Sequence, residues 1–248
     1  MSGVRERRVA REDILFVMQR DLERALRKRV GTRRWGMLID TRKCVGCHAC
    51  TISCKAAYKL SPGVKYKPVT ITESGRYPNV QVRFTPKSCF QCAKPSCASA
   101  CPINAITKEP DGIVAMNYEK CLGSTCQRCI AGCPYDALSY DDGSFFTTDT
   151  PALQTHEKMG FFEYGRVWRR DGAQSDVIGS VRKCHFCSSR IIEGLLPLCV
   201  ATCIGKAAYF GDLNDRQSLL RRTMAANRTF VMKEETGNEP QVFYTQEV

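Results

Sequence analysis

The stretch CPINAITKEPDGIVAMNYEKC, Cys101–Cys121, joins a cysteine, a turn and a strand in one short segment. Cys101 stands directly before proline, and Pro-Asp-Gly at 110–112 predicts a turn before the strand-like IVAM at 113–116. The strand leads into the next cysteine, Cys121. The sequence CPYDALSYDDG, which begins at Cys133, repeats the opening of this pattern. One local pattern is therefore used at least twice.

The cysteine content is far above ordinary usage, with 16 in 248 residues, and the chain is too long for a disulfide-stapled miniprotein. This count favours a metal or cluster framework. The cysteines form four groups of four with none left over: Cys44, Cys47, Cys50, Cys54; Cys89, Cys92, Cys97, Cys101; Cys121, Cys126, Cys129, Cys133; and Cys184, Cys187, Cys199, Cys203.

The residue after the last cysteine of each group sorts the groups into two pairs. The second and third groups end in Cys-Pro, whereas Cys54 is followed by lysine and Cys203 by isoleucine. The second and third groups thus form an inner pair, and the first and fourth an outer pair.

This pattern resembles the bacterial two-cluster ferredoxin, in which three closely spaced cysteines bind one cluster and the cysteine before proline binds the other. The resemblance implies an α+β, loop-rich fold of two nested ferredoxin-like [4Fe–4S] units with short strands and helices. It also implies that ligands cross between paired groups. The implied sets are Cys44, Cys47, Cys50 and Cys203; Cys54, Cys184, Cys187 and Cys199; Cys89, Cys92, Cys97 and Cys133; and Cys101, Cys121, Cys126 and Cys129.

Composition divides the chain into zones around these units. Ile14, Met18, Leu22, Ala25 and Leu26 recur at helical spacing and predict an amphipathic helix, which can dock on its own globule or on a partner. The predicted zones are an N-terminal helical extension, 1–34; an outer unit, 35–85 and 171–215; an inner unit, 86–143; an aromatic-rich insertion expected at a subunit interface, 144–170; and a C-terminal tail with two β-like segments, 216–248.

Taken together, WGMLIDTRKCVGCHACTISCK, SCFQCAKPSCASACP, CIAGCPYDAL and KCHFC…LCVATCIGKA resemble the four-cluster iron–sulfur subunit of dimethyl-sulfoxide-reductase-type molybdopterin oxidoreductases. The resemblance covers Trp35 to Leu213. It implies a non-catalytic subunit of an anaerobic respiratory complex that relays single electrons through four [4Fe–4S] clusters. The implied partners are a molybdenum or tungsten pterin catalytic subunit and an integral-membrane quinone-reactive subunit or another carrier.

One spacing departs from that family. The third group reads CLGSTCQRC, with four residues between Cys121 and Cys126 where two are usual. All four thiols are present, so a complete cluster in a bulged loop is expected. A distorted or three-iron site is the alternative.

The formal charge of +12 resembles that of a nucleic-acid-binding protein until the cofactor is counted. Four clusters with thiolate ligands, at two negative charges each, would bring the sum to roughly +4. Lys43, Lys87, Lys120 and Lys183 stand next to or two residues before a cysteine group, where a cation favours thiolates and the reduced cluster. His48 and His185, inside the outer pair, are candidates for hydrogen bonds to cluster sulfur that tie potential to pH. Surface side chains without a redox role are the alternative for all six.

Competing interpretations are a zinc-binding, nucleic-acid-binding protein and a stand-alone polyferredoxin. Structural zinc sites use two separated cysteine pairs, whereas three cysteines in one loop followed by Cys-Pro are typical of clusters. The sequence contains no glycine-rich dinucleotide fingerprint and only three histidines, so it offers little for an enzyme acting alone. No nucleic-acid partner is expected.

No segment predicts a membrane span, because the longest apolar run is Ile14–Met18. Acidic residues follow the N-terminal arginines where the apolar part of a secretory signal would stand. Free thiolates persist in a reducing compartment, which predicts a cytoplasmic location or a peripheral one on the cytoplasmic side of the inner membrane. Export after folding, together with a signal-bearing partner, is the open alternative.

Overall fold

Short helices and strands alternate along the chain, as an α+β sequence with frequent turn residues predicts. The computed structural model describes residues 12–172 and 176–245. The helices are α1 (Ile14–Leu26), α2 (Ala49–Ala57), α3 (Ser96–Ser99), α4 (Arg128–Ala131), α5 (Thr155–Lys158), α6 (Ser188–Ile192), α7 (Leu198–Ala201) and α8 (Leu219–Ala225). The strands are β1 (Trp35–Ile39), β2 (Val69–Arg76), β3 (Asn79–Pro86), β4 (Ile106–Lys108), β5 (Val114–Met116), β6 (Leu138–Tyr140), β7 (Phe161–Glu163), β8 (Arg166–Trp168), β9 (Val181–Lys183), β10 (Ala208–Asp212), β11 (Thr229–Phe230) and β12 (Val242–Thr245).

The central sheet joins the two ends of the cysteine-rich region. Its order is β10-β1-β12-β11, and β1 is buried along its whole length, as a strand packed on both faces requires. β1 runs antiparallel to β10, with Trp35 opposite Asp212 and Ile39 opposite Ala208. β1 leads into the first cysteine group and β10 follows the fourth. Their pairing therefore brings these two distant groups to the same end of the sheet.

The C-terminal segment completes this sheet. β12 pairs in parallel with β1, placing Val242 beside Met37, and antiparallel with β11. The C-terminal tail predicted from residue 216 therefore contributes its last strand to the central sheet, between β1 and β11. The β-like segments expected there are the strands β11 and β12. Residues 246–248 lie outside the described ranges.

Two pairs of short helices carry cysteines and pack against each other. α2, from the first group, contacts α7, from the fourth, and Ser53 Oγ lies 3.2 Å from Thr202 Oγ1 across this contact. α3, from the second group, contacts α4, from the third, where Ser96 Oγ donates a 2.7 Å hydrogen bond to the Gly132 carbonyl. A Cβ at Gly132 would lie 2.9 Å from the Ala100 Cβ, so the absent side chain permits the close approach.

The hairpins between the groups differ in exposure. β4 and β5 form the hairpin predicted around the turn at 110–112, and Ile106 and Val114 are buried. β6 pairs with β9, so the chain after the third group is joined to the chain before the fourth. β2 and β3 form a hairpin of eight residues per strand that projects largely into solvent.

Helix α1 covers the central sheet. Asp13 caps it by accepting a 3.0 Å hydrogen bond from the Leu15 amide. Met18, Leu22 and Ala25 are buried, and the helix contacts β10 and α8. The predicted stripe therefore packs on its own chain and is not free to dock on a partner. Residues 1–11 of the predicted extension lie outside the described residues.

The insertion 144–170 is also folded against the chain. The hairpin β7–β8 buries Phe161, Glu163 and Trp168, while Phe146 and Met159 remain exposed. The Trp168 indole donates a 3.0 Å hydrogen bond to the Glu163 carbonyl, which ties the two strands together. The insertion thus has a buried inner face and an apolar outer face.

Candidate metal centres

All sixteen cysteines lie in the described residues as free thiols. They gather into four thiol sets, each with three members from one sequence group and one from its paired group. We number the sets as follows: the first is Cys44, Cys47, Cys50 and Cys203; the second is Cys54, Cys184, Cys187 and Cys199; the third is Cys89, Cys92, Cys97 and Cys133; the fourth is Cys101, Cys121, Cys126 and Cys129.

The first thiol set surrounds an apolar space near the surface. Its four sulfur-bearing residues all line this space, and Cys47 is exposed. Burial raises the pKa of the Cys44 thiol, and the neighbouring Cys50, Cys203 and Cys47 raise it further. Cys203 reaches this set because α7 packs on α2. The Gly205 backbone passes so close to the Lys43 carbonyl that a Cβ would lie 2.3 Å from it.

The second thiol set is buried throughout. Cys54, on α2, is 3% exposed, and its neighbours come from the fourth sequence group. Burial raises the pKa of Cys54 well above its usual value, and the Cys199, Cys187 and Cys184 thiols raise it further. Cys54 therefore lies with thiols more than a hundred residues away rather than with Cys44 and Cys47.

The third thiol set is buried except at Cys133, which is partly exposed. Burial raises the pKa of Cys92 to about 12, and Cys89, Cys97 and Cys133 contribute in the same direction. Cys133 follows α4, and the contact between α3 and α4 brings it to the thiols of the second sequence group.

The fourth thiol set lines a second apolar space, with Cys101 joining the three thiols of the loop. Burial raises the pKa of Cys129 to about 11, and Cys121, Cys101 and Cys126 raise it further. The two extra residues before Cys126 are taken up in a 3₁₀ turn at Gly123–Thr125. Gly123 has φ +55°, and a Cβ there would lie 1.8 Å from the Gly179 carbonyl, so the loop requires glycine. All four thiols still face one space.

The loops share a backbone feature that the sequence did not predict. Each contains a non-glycine residue with positive φ, at His48, Gln91, Gln127 and Cys187. A left-handed residue turns the chain sharply and directs successive amides towards one side. The loop thereby curls around the space that its three thiols face.

The cysteine that ends a group also accepts backbone hydrogen bonds. The amide of Ala105 lies 3.2 Å from Cys101 Sγ, and the amide of Ala207 lies 3.2 Å from Cys203 Sγ. An amide that donates to sulfur favours the thiolate, the form that binds metal. Cys54 differs, because α2 continues for three residues beyond it.

The thiols of the first set line one space, and so do those of the fourth, as four ligands of one cluster require. In residues 12–172 and 176–245, no group of three or more His, Cys, Asp or Glu side chains converges on a single metal ion. A zinc ion would hold its thiolates at about 2.3 Å from one point. Burial is the main cause of the raised thiol pKa values and neighbouring thiols add to it, so positive charge within a set would favour the thiolates. A four-iron cubane supplies that charge and accepts a thiolate at each iron.

Comparison with known proteins identifies the chain. Residues 80–150 and 171–213 match the 4Fe-4S dicluster domain. The chain is 46% identical to a subunit of the selenate reductase of Mesobacillus selenatarsenatis, over 94% of this chain and 79% of the relative. It is 31% identical to the arsenate respiratory reductase iron-sulfur subunit of a Shewanella species, over 85% of this chain and 95% of the relative. A subunit of the tetrathionate reductase of Salmonella typhimurium is 32% identical, over 85% of this chain and 72% of the relative.

The chain belongs to the family of iron–sulfur subunits of molybdopterin oxidoreductases. The family resemblance predicted from the sequence is confirmed. The subunit holds four [4Fe–4S] clusters, in keeping with its sixteen cysteines, and it transfers electrons within a reductase complex rather than catalysing the reaction itself. No helix in the described ranges has the length and apolarity needed to span a bilayer.

The four lysines predicted to tune the cluster potentials of this iron–sulfur subunit differ in their burial. Lys43 and Lys120 are exposed and Lys87 is partly exposed, so water screens their charges. Lys183 is fully buried, and its ammonium donates to the carbonyls of Val114 and Cys184. Burial supports a role in tuning for Lys183 more than for the other three.

The two histidines also differ in burial. His48 is exposed at the start of α2. His185 is buried, but its Nδ1 accepts a 3.0 Å hydrogen bond from the Ser188 amide, and its Nε2 lies 3.3 Å from Glu163 Oε1. Nδ1 is thus occupied by Ser188, whereas Nε2 has no hydrogen-bond partner among the described residues despite its distance from Glu163. A hydrogen bond from His185 to cluster sulfur stays a prediction.

Glu163 lies in a buried polar network that the sequence did not predict. Its carboxylate accepts hydrogen bonds from the Tyr66 hydroxyl at 2.8 Å and the Tyr118 hydroxyl at 2.7 Å. Burial opposes ionisation, but Arg182, then His185 and Tyr118, outweigh it and lower the Glu163 pKa to about 2. Glu163 belongs to the insertion, so this carboxylate ties the insertion to the cysteine-rich units.

Arg182 links the network to the second thiol set. Its guanidinium lies 3.0 Å from Asp141 Oδ2 and 3.4 Å from Glu163 Oε2, and it donates a 2.8 Å hydrogen bond to the Tyr58 carbonyl. The Tyr58 side chain in turn hydrogen-bonds the Cys187 thiol. Arg170 provides Asp141 with a second cation at 2.7 Å. The ionic groups are therefore paired, as burial at this depth requires.

Proposed function

We propose that the four thiol sets each hold one [4Fe–4S] cluster and that electrons pass through them in the order first, second, third, fourth. The observation that carries this proposal is the pattern of exposure. The first and fourth sets reach the surface, at the exposed Cys47 and the partly exposed Cys121, whereas the second set is wholly buried and the third nearly so. This arrangement suits a chain of cofactors whose first and last members exchange electrons with partners while the middle members are shielded from solvent.

Proximity of thiols in neighbouring sets supports the same order. Cys50 and Cys199 line the same space, which joins the first set to the second. The Cys89 thiol raises the pKa of Cys184, which joins the second to the third. The Cys129 thiol raises the pKa of Cys97, which joins the third to the fourth. Each adjacent pair of sets is therefore linked by one pair of nearby thiols.

The two nested ferredoxin-like units also belong to this proposal. The outer unit is built on the contact between α2 and α7, and the inner unit on the contact between α3 and α4. In both, the helix pair carries the last cysteine of one group to the thiols of the other. Pairing of β6 with β9 holds the units together.

The ends of the wire are the places where partners would exchange electrons. We place a molybdopterin catalytic subunit at one end and a quinone-reactive membrane subunit, or another carrier, at the other. The outer face of the insertion, with Phe146, Met159, Phe162 and Val167 exposed, supports it as part of a subunit interface, because aromatic and methionine side chains are enriched in such contacts. The side of the membrane on which the complex lies follows from its partners, and a cytoplasmic-side location is the proposal from the sequence.

The iron content tests the cofactor assignment. Four cubanes predict about sixteen iron and sixteen sulfide per chain in anaerobically isolated protein. Colorimetric iron and sulfide assays, with zinc measured on the same sample, would check this. About twelve iron with the fourth cluster missing would contradict a complete site at the longer Cys121–Cys126 spacing, and zinc with little sulfide would contradict the cluster assignment.

The similarity to the selenate reductase relative extends the proposal to the complex. Identity is 46% to that protein and 31–32% to the arsenate and tetrathionate reductase relatives, so we propose that the catalytic partner reduces an oxyanion of the selenate kind. The purified complex should oxidise a reduced viologen dye when selenate is added. Oxidation with tetrathionate or arsenate but not with selenate would overturn this assignment and leave the electron-transfer role intact.

A further inference from the structure

Lys67 is a buried lysine outside every cysteine group. It is 2% exposed, and its ammonium lies 3.4 Å from Met37 Sδ and 3.5 Å from Ser88 Oγ. The contact with Ser88 is at the long limit of hydrogen bonding, the thioether is a weak acceptor, and neither partner carries a charge. Within the described ranges, Lys67 takes part in no ion pair.

A buried ammonium group without a charged partner is energetically unfavourable, and proteins normally pair such a group. Arg182 and Lys183 show the usual solutions in this chain, with carboxylates around the first and backbone carbonyls around the second. Lys67 has neither arrangement. A nearby negative charge would stabilise the buried Lys67 ammonium, and neither Met37 nor Ser88 provides one.

Lys67 adjoins both the first and the second thiol sets. It lines the same space as Cys44, Cys47, Cys50 and Cys203 of the first set, and Cys199 of the second set lines that space as well. One cation thus adjoins thiols of two different sets.

We propose that Lys67 is the shared counter-ion of the first and second clusters and raises the reduction potential of both. The inference rests on the proposed ligand sets. A cluster in either set would gain one negative charge on accepting one electron from its neighbour, and no bond or proton would change place. A fixed cation beside both sets would stabilise that charge in either position. The electron therefore passes between two sites that the same residue favours.

The test uses Lys67→Met in the assembled complex, with Lys67→Arg and Lys43→Met for comparison. Methionine retains the length of the side chain and removes the charge, whereas arginine retains the charge. Lys43 also adjoins the first set, but it is about half exposed and its ammonium lies 3.8 Å from Asp40 and donates to Tyr209. Redox titration monitored by electron paramagnetic resonance measures each cluster separately.

In Lys67→Met, the ratio of reduced to oxidised cluster at a fixed potential should fall at least tenfold for both the first and the second cluster, which corresponds to about 59 mV for a one-electron couple. The third and fourth clusters should be unchanged. Lys67→Arg should remain within about threefold of the wild type, and so should Lys43→Met. A shift at one cluster only, or equal effects of Lys67→Met and Lys43→Met, would overturn the shared role.

Two further outcomes are informative. If neutral variants, Lys67→Met and Lys67→Gln, lose the first two clusters while Lys67→Arg retains them, the need for a cation is supported. If Lys67→Arg loses them as well, the lysine acts through its shape and the inference fails. A wild-type complex without four cluster signals would instead contradict the proposed ligand sets, independently of Lys67.

Discussion

Cys54→Ser is expected to damage the same cluster as Cys187→Ser and to reduce electron transfer through the complex by at least tenfold. Cys54 is buried beside Cys184, Cys187 and Cys199, so its loss removes one ligand of a cluster in the middle of the wire. Serine is a poorer ligand for iron than the cysteine thiolate. Titration of each cluster by electron paramagnetic resonance would show the signal of the second cluster altered or absent in both variants.

The matched control is Cys47→Ser, in the same short sequence group as Cys54. Cys47 is exposed and lines the space of the first thiol set, so this variant should alter the first cluster and leave the second with normal potential and spectrum. If Cys54→Ser and Cys47→Ser alter one and the same signal, the first sequence group binds a single local cluster, and ligands do not cross between groups.

Arg182→Met is expected to lower the free energy of unfolding by about 3–5 kcal/mol, the usual loss when one partner of a buried ion pair is removed. Arg182 is fully buried, and its removal leaves Glu163 without its nearest full cation and Asp141 with Arg170 alone. Unfolding in urea, followed anaerobically by cluster absorbance and circular dichroism, should show a midpoint lower by roughly 1 M or more.

Two comparisons separate this loss from a general effect of substitution. Arg20→Gln removes an ion pair with Glu12 on the exposed face of α1 and should leave the midpoint unchanged. Adding Glu163→Gln to Arg182→Met should recover part of the loss, because the uncompensated carboxylate is removed. If the double variant is no more stable than the sum of the two single losses predicts, the ionic pairing of Glu163 with Arg182 is not the source of stability.

Local spacing carried much of the prediction. Three cysteines within a few residues must face a common space, since the chain between them is too short to separate them. The Cys-Pro endings and the turn at 110–112 are equally local, and the hairpin β4–β5 forms there. The helical spacing from Ile14 likewise predicts α1, which spans Ile14–Leu26. Short-range sterics and periodicity act within one turn or one strand, so these features can be predicted from the sequence.

Other features depend on segments that are distant in sequence. The position of β12 beside β1 follows from the burial of both, and nothing in the C-terminal sequence distinguishes a central strand from an edge strand. The sequence places His185 next to Cys184, but packing places its ring nitrogen 3.3 Å from Glu163, which lies in another sequence zone. Lys67 lies in none of the cysteine groups and became notable only through its burial.

The sequence by itself therefore determined which chemistry the protein performs: sixteen cysteines in four groups indicate four clusters and an electron-transfer role. The tertiary structure alone decided which thiols lie together, which sets are insulated and which cations are buried near them. The physical reason is one of range. A ligand loop is specified by a few neighbouring residues, whereas Cys54 and Cys199 meet because α2 packs on α7, and the electrostatic effect of Lys67 depends on the water that folding removes around it.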